Sequence, residues 1–160
     1  MDLPEPGLYR TSKAYPGHEE AIPSGALVYL GAPKNGGLPF VVKPGANRGN
    51  RWFWSDPTIP LRAMSWTKSL TKLPAEGFYT LPHELSFDGG GRWLKNALVQ
   101  LGYNAEGNGI IFVGEQHADE ERNVLVFSDR GRMVEDELLF RLHWTPILPV
   151  ASASDGESSD

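Results

Sequence analysis

Gly7-Leu8-Tyr9, near the start of the chain, returns as Gly77-Phe78-Tyr79, 70 positions later. Other segments return in the same order: residues 26–31 (ALVYLG) as 97–102 (ALVQLG), 40–41 (FV) as 112–113 (FV), and 50–56 (NRWFWSD) as 123–129 (NVLVFSD). The offset grows from 70 to 73 along the series, as expected when single residues are gained between the repeated segments. Ordered self-similarity of this kind predicts a tandem structural repeat.

The repeated segments are short and rich in β-branched and aromatic residues, which predicts strands. We expect strands over 26–30, 39–42 and 51–54, with counterparts over 97–101, 109–113 and 124–127. The third strand of each copy is apolar at consecutive positions, so we expect both of its faces to be covered. Asn-Gly turns join the first two strands of each copy, since Asn and Gly accept the positive φ of a tight turn.

A short helix is predicted after the third strand of each copy. Trp66, Leu70 and Leu73 lie at helical spacing, as do Val134, Leu138 and Leu142. Ser65 is a candidate N-cap for the first helix. Acidic residues 135–137 suit the first turn of the second.

The chain divides into a first repeat over 1–73, a second repeat over 74–150 and a tail over 151–160. The junction at 74–77 contains no flexible linker, and a closing strand is predicted over 143–150. The segment 77–81 is therefore expected both to close the first repeat and to open the second, so that residues 1–73 should not fold alone. The tail lacks large apolar residues and is predicted to be a disordered acidic segment.

The order of elements resembles that of the SH3-like barrels. An opening Gly-Leu-Tyr or Gly-Phe-Tyr is followed by a long loop, an Ala-Leu-Val strand, a hairpin, a third strand, a helical turn and a closing strand. The resemblance covers most of residues 6–150 and implies an all-β fold with short helical turns, made of two fused SH3-like barrel repeats. The opening strand lacks the aromatic and acidic loop spacing of SH3 peptide-binding sites, so the resemblance implies no ligand residues.

Composition narrows the class of protein. The 160 residues are 40% hydrophobic and 22% charged, which is typical of a globular protein. Cysteine is absent, which removes disulfides and thiolate chemistry. Residues 1–6 lack a basic start and an apolar stretch, so we expect no signal peptide, no membrane association and a cytoplasmic location. Residues 1–73 carry a net charge of +4 and residues 74–160 one of −9, an asymmetry that can orient a partner.

The segment after the second strand shows this contrast most clearly. It is predicted to be a basic loop in the first copy and an acidic loop in the second. Trp66 and Trp144 are added as candidate interface residues, because tryptophan is enriched at protein interfaces. The candidate partner-binding residues are Lys43, Arg48, Arg51, Glu115, Asp119, Glu120, Glu121, Trp66 and Trp144.

Histidines beside carboxylates are the remaining chemical signal. His18, His83 and His117 each neighbour acidic residues, and His143 precedes Trp144. Such pairs can act as a general base or bind a metal, but no His-x-x-x-His spacing occurs. We therefore predict solvated surface histidines, no cofactor and no metal.

These observations favour a non-catalytic module that binds another protein or assembles with itself. One alternative is a nucleic-acid-binding module that uses the basic loop and its aromatic neighbours, since cations and aromatic rings bind phosphates and bases. The net charge of −5 opposes that alternative. A second alternative is a small metal-dependent enzyme built from the His-Glu loops.

Overall fold

Short strands separated by glycine and proline turns make up most of the chain. The computed structural model describes residues 4–54, 58–87, 91–118 and 123–145. The first half (residues 1–73) contains β1 (Gly7–Arg10), β2 (Leu27–Gly31), β3 (Phe40–Val42), β4 (Pro44–Arg48), β5 (Arg51–Trp54), β6 (Ile59–Pro60), α1 (Met64–Thr67) and β7 (Thr71–Lys72). The second half (residues 74–145) contains β8 (Gly77–Thr80), β9 (Leu85–Ser86), β10 (Arg92–Trp93), β11 (Leu98–Tyr103), β12 (Gly109–Ala118), β13 (Asn123–Phe127), β14 (Arg132–Met133), α2 (Asp136–Leu139) and β15 (His143–Trp144).

Each half has one main antiparallel sheet. The first has the order β6-β3-β2-β1-β7, and the second has the order β13-β12-β11-β8-β15 with β14 also paired to β12. β4 and β5 form a separate hairpin, as do β9 and β10. The expected all-β class with short helical turns is confirmed. Within the described ranges both main sheets are open, because their outermost strands do not pair with each other.

The closing strand of the first half differs from the expectation. β1 pairs with β2 and β7, whereas β8 pairs with β11 and β15. The prediction that residues 77–81 serve both halves is therefore wrong. The chain returns to β1 directly after α1, and the Leu73 N–H donates to the Leu8 carbonyl at 3.0 Å. The Thr145 N–H likewise donates to the Phe78 carbonyl at 2.9 Å.

The helices are shorter than their apolar spacing predicts. α1 begins at Met64 after Ala63, so Ser65 is not its N-cap, and Leu70 and Leu73 lie beyond its end. The Tyr15 hydroxyl accepts the N–H groups of Arg62 and Ala63 at 2.9 and 3.3 Å, so a tertiary contact satisfies backbone donors beside the helix start. Asp136 and Glu137 do occupy the first turn of α2.

The side chains of the first sheet point into two different cores. Tyr9, Val28 and Leu30 pack in the first core with Tyr15, Ile22, Val41, Leu61 and Trp66, all from the first half. Leu8 and Leu27 point the opposite way and pack in the second core with Tyr79, Leu81, Val99, Leu101, Ile111 and Leu139. Because strand residues alternate between faces, the first sheet is buried on both sides. The second core is thus completed by residues of the first half.

Polar contacts accompany this packing. The Leu27 N–H donates to the Ala105 carbonyl at 2.8 Å. Arg10, which lies on the same face of the first sheet as Leu27, donates to both carboxylate oxygens of Asp136 at 2.9 and 2.8 Å. Gly107 lies against Arg10 with a φ of +79°, where a Cβ atom would come within 3.0 Å of the Arg10 side chain. The two halves therefore form one body.

No helix in the described part of the chain is long and apolar enough to cross a bilayer.

Residues 74–160 expressed without residues 1–73 are expected not to fold cooperatively, because the second core then lacks Leu8 and Leu27. Burial of a leucine side chain contributes roughly 1.5–3 kcal/mol, a large share of a typical net stability of about 5–15 kcal/mol. Scanning calorimetry of the full chain and of both halves tests this. A cooperative transition of residues 74–160 near the Tm of the full chain would contradict the shared core.

Candidate functional site

A groove of about 1040 Å³ runs along the junction of the two halves. Leu8 and Tyr29 of the first sheet form one wall, and the β5 hairpin strand forms another. Residues 72–77 connect the halves along its length, while Phe78, Gln100 and Phe140 line the side of the second half. The groove thus exists only where the two halves meet.

Aromatic side chains contribute to its surface. Tyr29 and Trp54 stack with ring centroids 5.6 Å apart. The Trp52 indole N–H donates to the Tyr103 carbonyl at 2.8 Å, which fixes the ring at the junction. Phe53 points away from Trp52 and Trp54 and is 47% exposed. Rings held in place in this way offer contact area to a ligand at low entropic cost.

Two tyrosine hydroxyls hydrogen-bond to backbone carbonyls that line the groove, and a third makes the corresponding contact in the first half. Tyr103 and Tyr79 donate to the carbonyls of Pro74 and Ala75 at 2.6 and 2.7 Å. Tyr9 donates to the Glu5 carbonyl at 2.7 Å, in the position that corresponds to Tyr79. Burial raises the pKa of Tyr79 to about 12 and raises that of Tyr103 further, so both remain hydroxyl donors at neutral pH.

Glu76 is the half-buried carboxylate of the groove. Its Oε2 accepts the Trp52 backbone N–H at 3.0 Å. Burial raises the pKa of Glu76 above its ordinary value, while that hydrogen bond and the Arg51 cation act in the opposite direction. The carboxylate therefore links the connection between the halves to β5.

Cations flank the aromatic surface. The guanidinium carbons of Arg48 and Arg51 lie 5.5 and 5.9 Å from the Phe53 ring centroid. Lys72 Nζ lies 4.7 Å from the Tyr9 ring centroid and donates to the Pro6 carbonyl at 3.1 Å. A Cβ atom on Gly7 would lie 2.4 Å from Lys72 Nζ. Arg51 and Lys72 line the groove itself, and Glu76 is its acidic residue.

The predicted basic loop is a hairpin in the structure. Lys43 is exposed and immediately precedes β4, while Arg48 and Arg51 are exposed at the adjoining ends of β4 and β5. Its tip lies against the second half, where Asn50 Nδ2 donates to Gln100 Oε1 at 3.2 Å and Gln100 Nε2 donates to the Gly49 carbonyl at 3.1 Å.

The predicted acidic loop begins as a strand. Glu115 is exposed on β12, which continues to Ala118 and pairs with β13. Asp119, Glu120 and Glu121 lie outside the described residues. The covered third strand that we expected is wrong for both copies, because Phe53, Leu125 and Val126 are 47%, 49% and 46% exposed.

The two candidate tryptophans differ in their exposure to solvent. Trp66 is buried in the first core, meets Tyr15 edge-on at 4.7 Å and donates its indole N–H to the Lys13 carbonyl at 2.8 Å. It presents almost no surface to a partner, so it is a core residue. Trp144 is 57% exposed and packs edge-on against Tyr79 at 5.2 Å, above Gly77.

The histidines do not converge. His18 lies beside Tyr15, with ring centroids 5.6 Å apart, and it is exposed, as are His83 and His143. The structure does not describe the side chain of His117. Among the side chains it does describe, no three His, Asp or Glu residues are grouped so that they could hold a metal ion.

Sequence reasoning missed Glu76, Tyr29 and Phe140 as groove residues. No local pattern marks them, because they come from a connection, a strand and a helix end that meet only through tertiary packing. The basic and aromatic residues 51–54 (RWFW) are the part of the groove that the sequence does mark.

The chain matches no protein-family model, no curated protein and no solved structure.

Replacing Glu76 with Gln should change how stability depends on pH. With a raised pKa, folded Glu76 retains a proton that the unfolded chain has released just above the ordinary value of 4.5. Glu76 therefore lowers stability as pH rises through that window. Glu76→Gln removes this ionisation and keeps an oxygen acceptor for the Trp52 N–H.

Urea midpoints of both proteins between about pH 4 and pH 7 measure the effect. The variant should gain stability relative to the wild type as pH rises. Glu106→Gln, in an exposed turn, is the control. A constant difference between Glu76→Gln and the wild type at all pH values would contradict the assigned burial effect.

Proposed function

We propose that this protein is a cytoplasmic, non-catalytic protein-binding or assembly module built from two SH3-like units, and that its junction groove binds an extended acidic segment of a partner protein. Corresponding contacts support the two units. Tyr9 and Tyr79 each donate to the carbonyl four residues earlier. Gly7 and Gly77 share positive φ angles, +146° and +150°, beneath Lys72 and Trp144 of the corresponding closing strands.

The groove is the observation that carries the proposal. Its volume of about 1040 Å³ lies just above the roughly 300–1,000 Å³ of small-molecule sites. It is open to solvent, and its lining combines aromatic side chains with Asn50, Arg51, Lys72, Glu76 and Gln100. Such a surface suits several residues of extended chain, whose side chains pack on the rings while backbone groups bond to Asn50, Gln100 and Glu76.

The charges favour an acidic segment. Two cations, Arg51 and Lys72, line the groove against one carboxylate, Glu76, and a further cation, Arg48, lies over the adjoining Phe53 ring. Exposed ion pairs contribute only about 0–1 kcal/mol each. The cations therefore orient the ligand and speed its association, while burial of the aromatic rings supplies most of the affinity.

One observation favours a second function. Arg48 and Arg51 flank the half-exposed ring of Phe53, and an exposed ring beside cations can stack on a base while the cations contact phosphates. Single-stranded nucleic acid is therefore the competing ligand for the same surface.

The double variant Arg48→Glu/Arg51→Glu should lose the acidic partner while keeping its fold, since surface changes usually alter stability by less than about 0.5 kcal/mol. The matched control is Lys13→Glu/Lys68→Glu, which changes the net charge equally at exposed positions of the first half. Both variants and the wild type are used to capture proteins from host extract at low and high salt, followed by mass spectrometry.

Captured proteins are then tested as purified segments by the change in tryptophan fluorescence, to which Trp52 and Trp54 contribute from the groove. An acidic segment that binds the wild type and the control, but not the groove variant, supports the proposal. Equal binding to all three proteins would refute the groove as the site. Salt-sensitive binding of a single-stranded oligonucleotide, with no protein ligand, would replace the proposal with the nucleic-acid function.

A further inference from the structure

β13 has an open edge in the described part of the chain. It pairs with β12 alone, through residues 123–127 opposite 114–118. The remaining edge of such a strand presents unpaired N–H and C=O groups, which can hydrogen-bond to another strand. The chemistry of this edge therefore calls for a β-strand as its partner.

The corresponding hairpin of the first half is already docked within the chain. β4 and β5 rest on the second half through the Asn50–Gln100 hydrogen bond and the contacts of Trp52 with Tyr103 and Glu76. The β12–β13 hairpin instead exposes Leu125 and Val126, which are adjacent and so lie on opposite faces. An apolar residue is thus half-exposed on each face of the hairpin.

Packing fixes the C-terminal end of β13. Phe127 packs against Phe78 of β8 with ring centroids 5.4 Å apart. Leu125 and Phe127 both approach Gly114 on β12, on the face of the second sheet that carries Phe78. The strand does not have to be ordered first in order to bind, which lowers the entropic cost of association.

The composition of β13 points to a second copy of the chain as the partner. The second half is net acidic, but residues 123–127 (NVLVF) contain no charged residue. Natural edge strands often carry lysine or proline to block self-pairing, and β13 has neither. Glu115 of β12, opposite Val126, lies one strand back from the edge, so two copies can pair through β13 with no charged side chain in either of the paired strands.

We propose that β13 pairs antiparallel with β13 of a second copy about a two-fold axis at Leu125. The inference deepens the assembly role in the proposed function and uses a surface separate from the groove. The contact is isologous and closes as a dimer, with the second sheets of the two copies joined into one continuous sheet. A contact of one short strand per copy is smaller than a standard interface of about 1,600 Å², so the dimer should dissociate on dilution.

The absence of cysteine allows a direct test. Leu125→Cys places the two introduced thiols opposite each other on the axis, within the Cα separation of roughly 4.4–6.8 Å that a disulfide spans. The controls are Leu94→Cys and Phe53→Cys, at positions 59% and 47% exposed. All three full-length proteins are oxidised mildly at equal concentration, and covalent dimers are followed with time by non-reducing electrophoresis.

Leu125→Cys should form covalent dimer at least about tenfold faster than either control, because only its thiols are held in register. Sedimentation of the wild type should show a concentration-dependent dimer that Leu125→Lys abolishes while its thermal transition persists. Equal cross-linking rates, or a wild type that stays monomeric over the concentration range, would overturn the proposal. Faster cross-linking of a mixture of Leu125→Cys and Phe53→Cys would replace it with a heterologous contact.

The result is separable from that for the groove. Capture of an acidic partner by a monomeric Leu125→Lys protein would leave the groove function intact whatever β13 does. Dimerisation of the Arg48→Glu/Arg51→Glu variant without partner binding would leave the β13 contact intact whatever the groove binds.

Discussion

The burial of the first sheet on both faces is the constraint on which the rest of the molecule depends. Neighbouring residues of β1, Leu8 and Tyr9, belong to different cores, as do Leu27 and Val28 of β2. A one-residue shift in the pairing of these strands would exchange the two sets of side chains. Their register therefore determines both cores at once. It also positions the second half, through the Leu27–Ala105 hydrogen bond and the Arg10–Asp136 ion pair.

Much of the strand order is legible in the sequence, because hydrophobic runs and Asn-Gly turns are local signals. Whether an apolar run is buried, in contrast, cannot be predicted from local sequence. Consecutive apolar residues in β2 are covered on both faces, whereas the similar run over β13 leaves Leu125 and Val126 half-exposed. The two runs differ only in what packs against them, and that depends on contacts between distant parts of the chain. The same reason separates buried Trp66 from exposed Trp144, although each precedes a threonine.

The groove is still less predictable than the strands. Its carboxylate, Glu76, lies in a connection between two halves, and its role depends on the Trp52 N–H, 24 residues away. The Arg10–Asp136 pair spans 126 residues. Neither contact has a sequence spacing that marks it, since both arise when two sheets meet. Basic and aromatic residues 48–54 could be selected from the sequence, but their partners in the second half could not.

Asymmetry between similar halves is what gives the molecule distinct surfaces. The first hairpin turns onto the second half, where it builds one wall of the groove and buries part of Trp52 and Trp54. The second hairpin leaves Leu125 and Val126 half-exposed. Two hairpins at corresponding positions thus have different roles: one forms a site at the junction, and the other presents an open edge. The groove also needs residues from both halves, so a change that separates the halves removes the site.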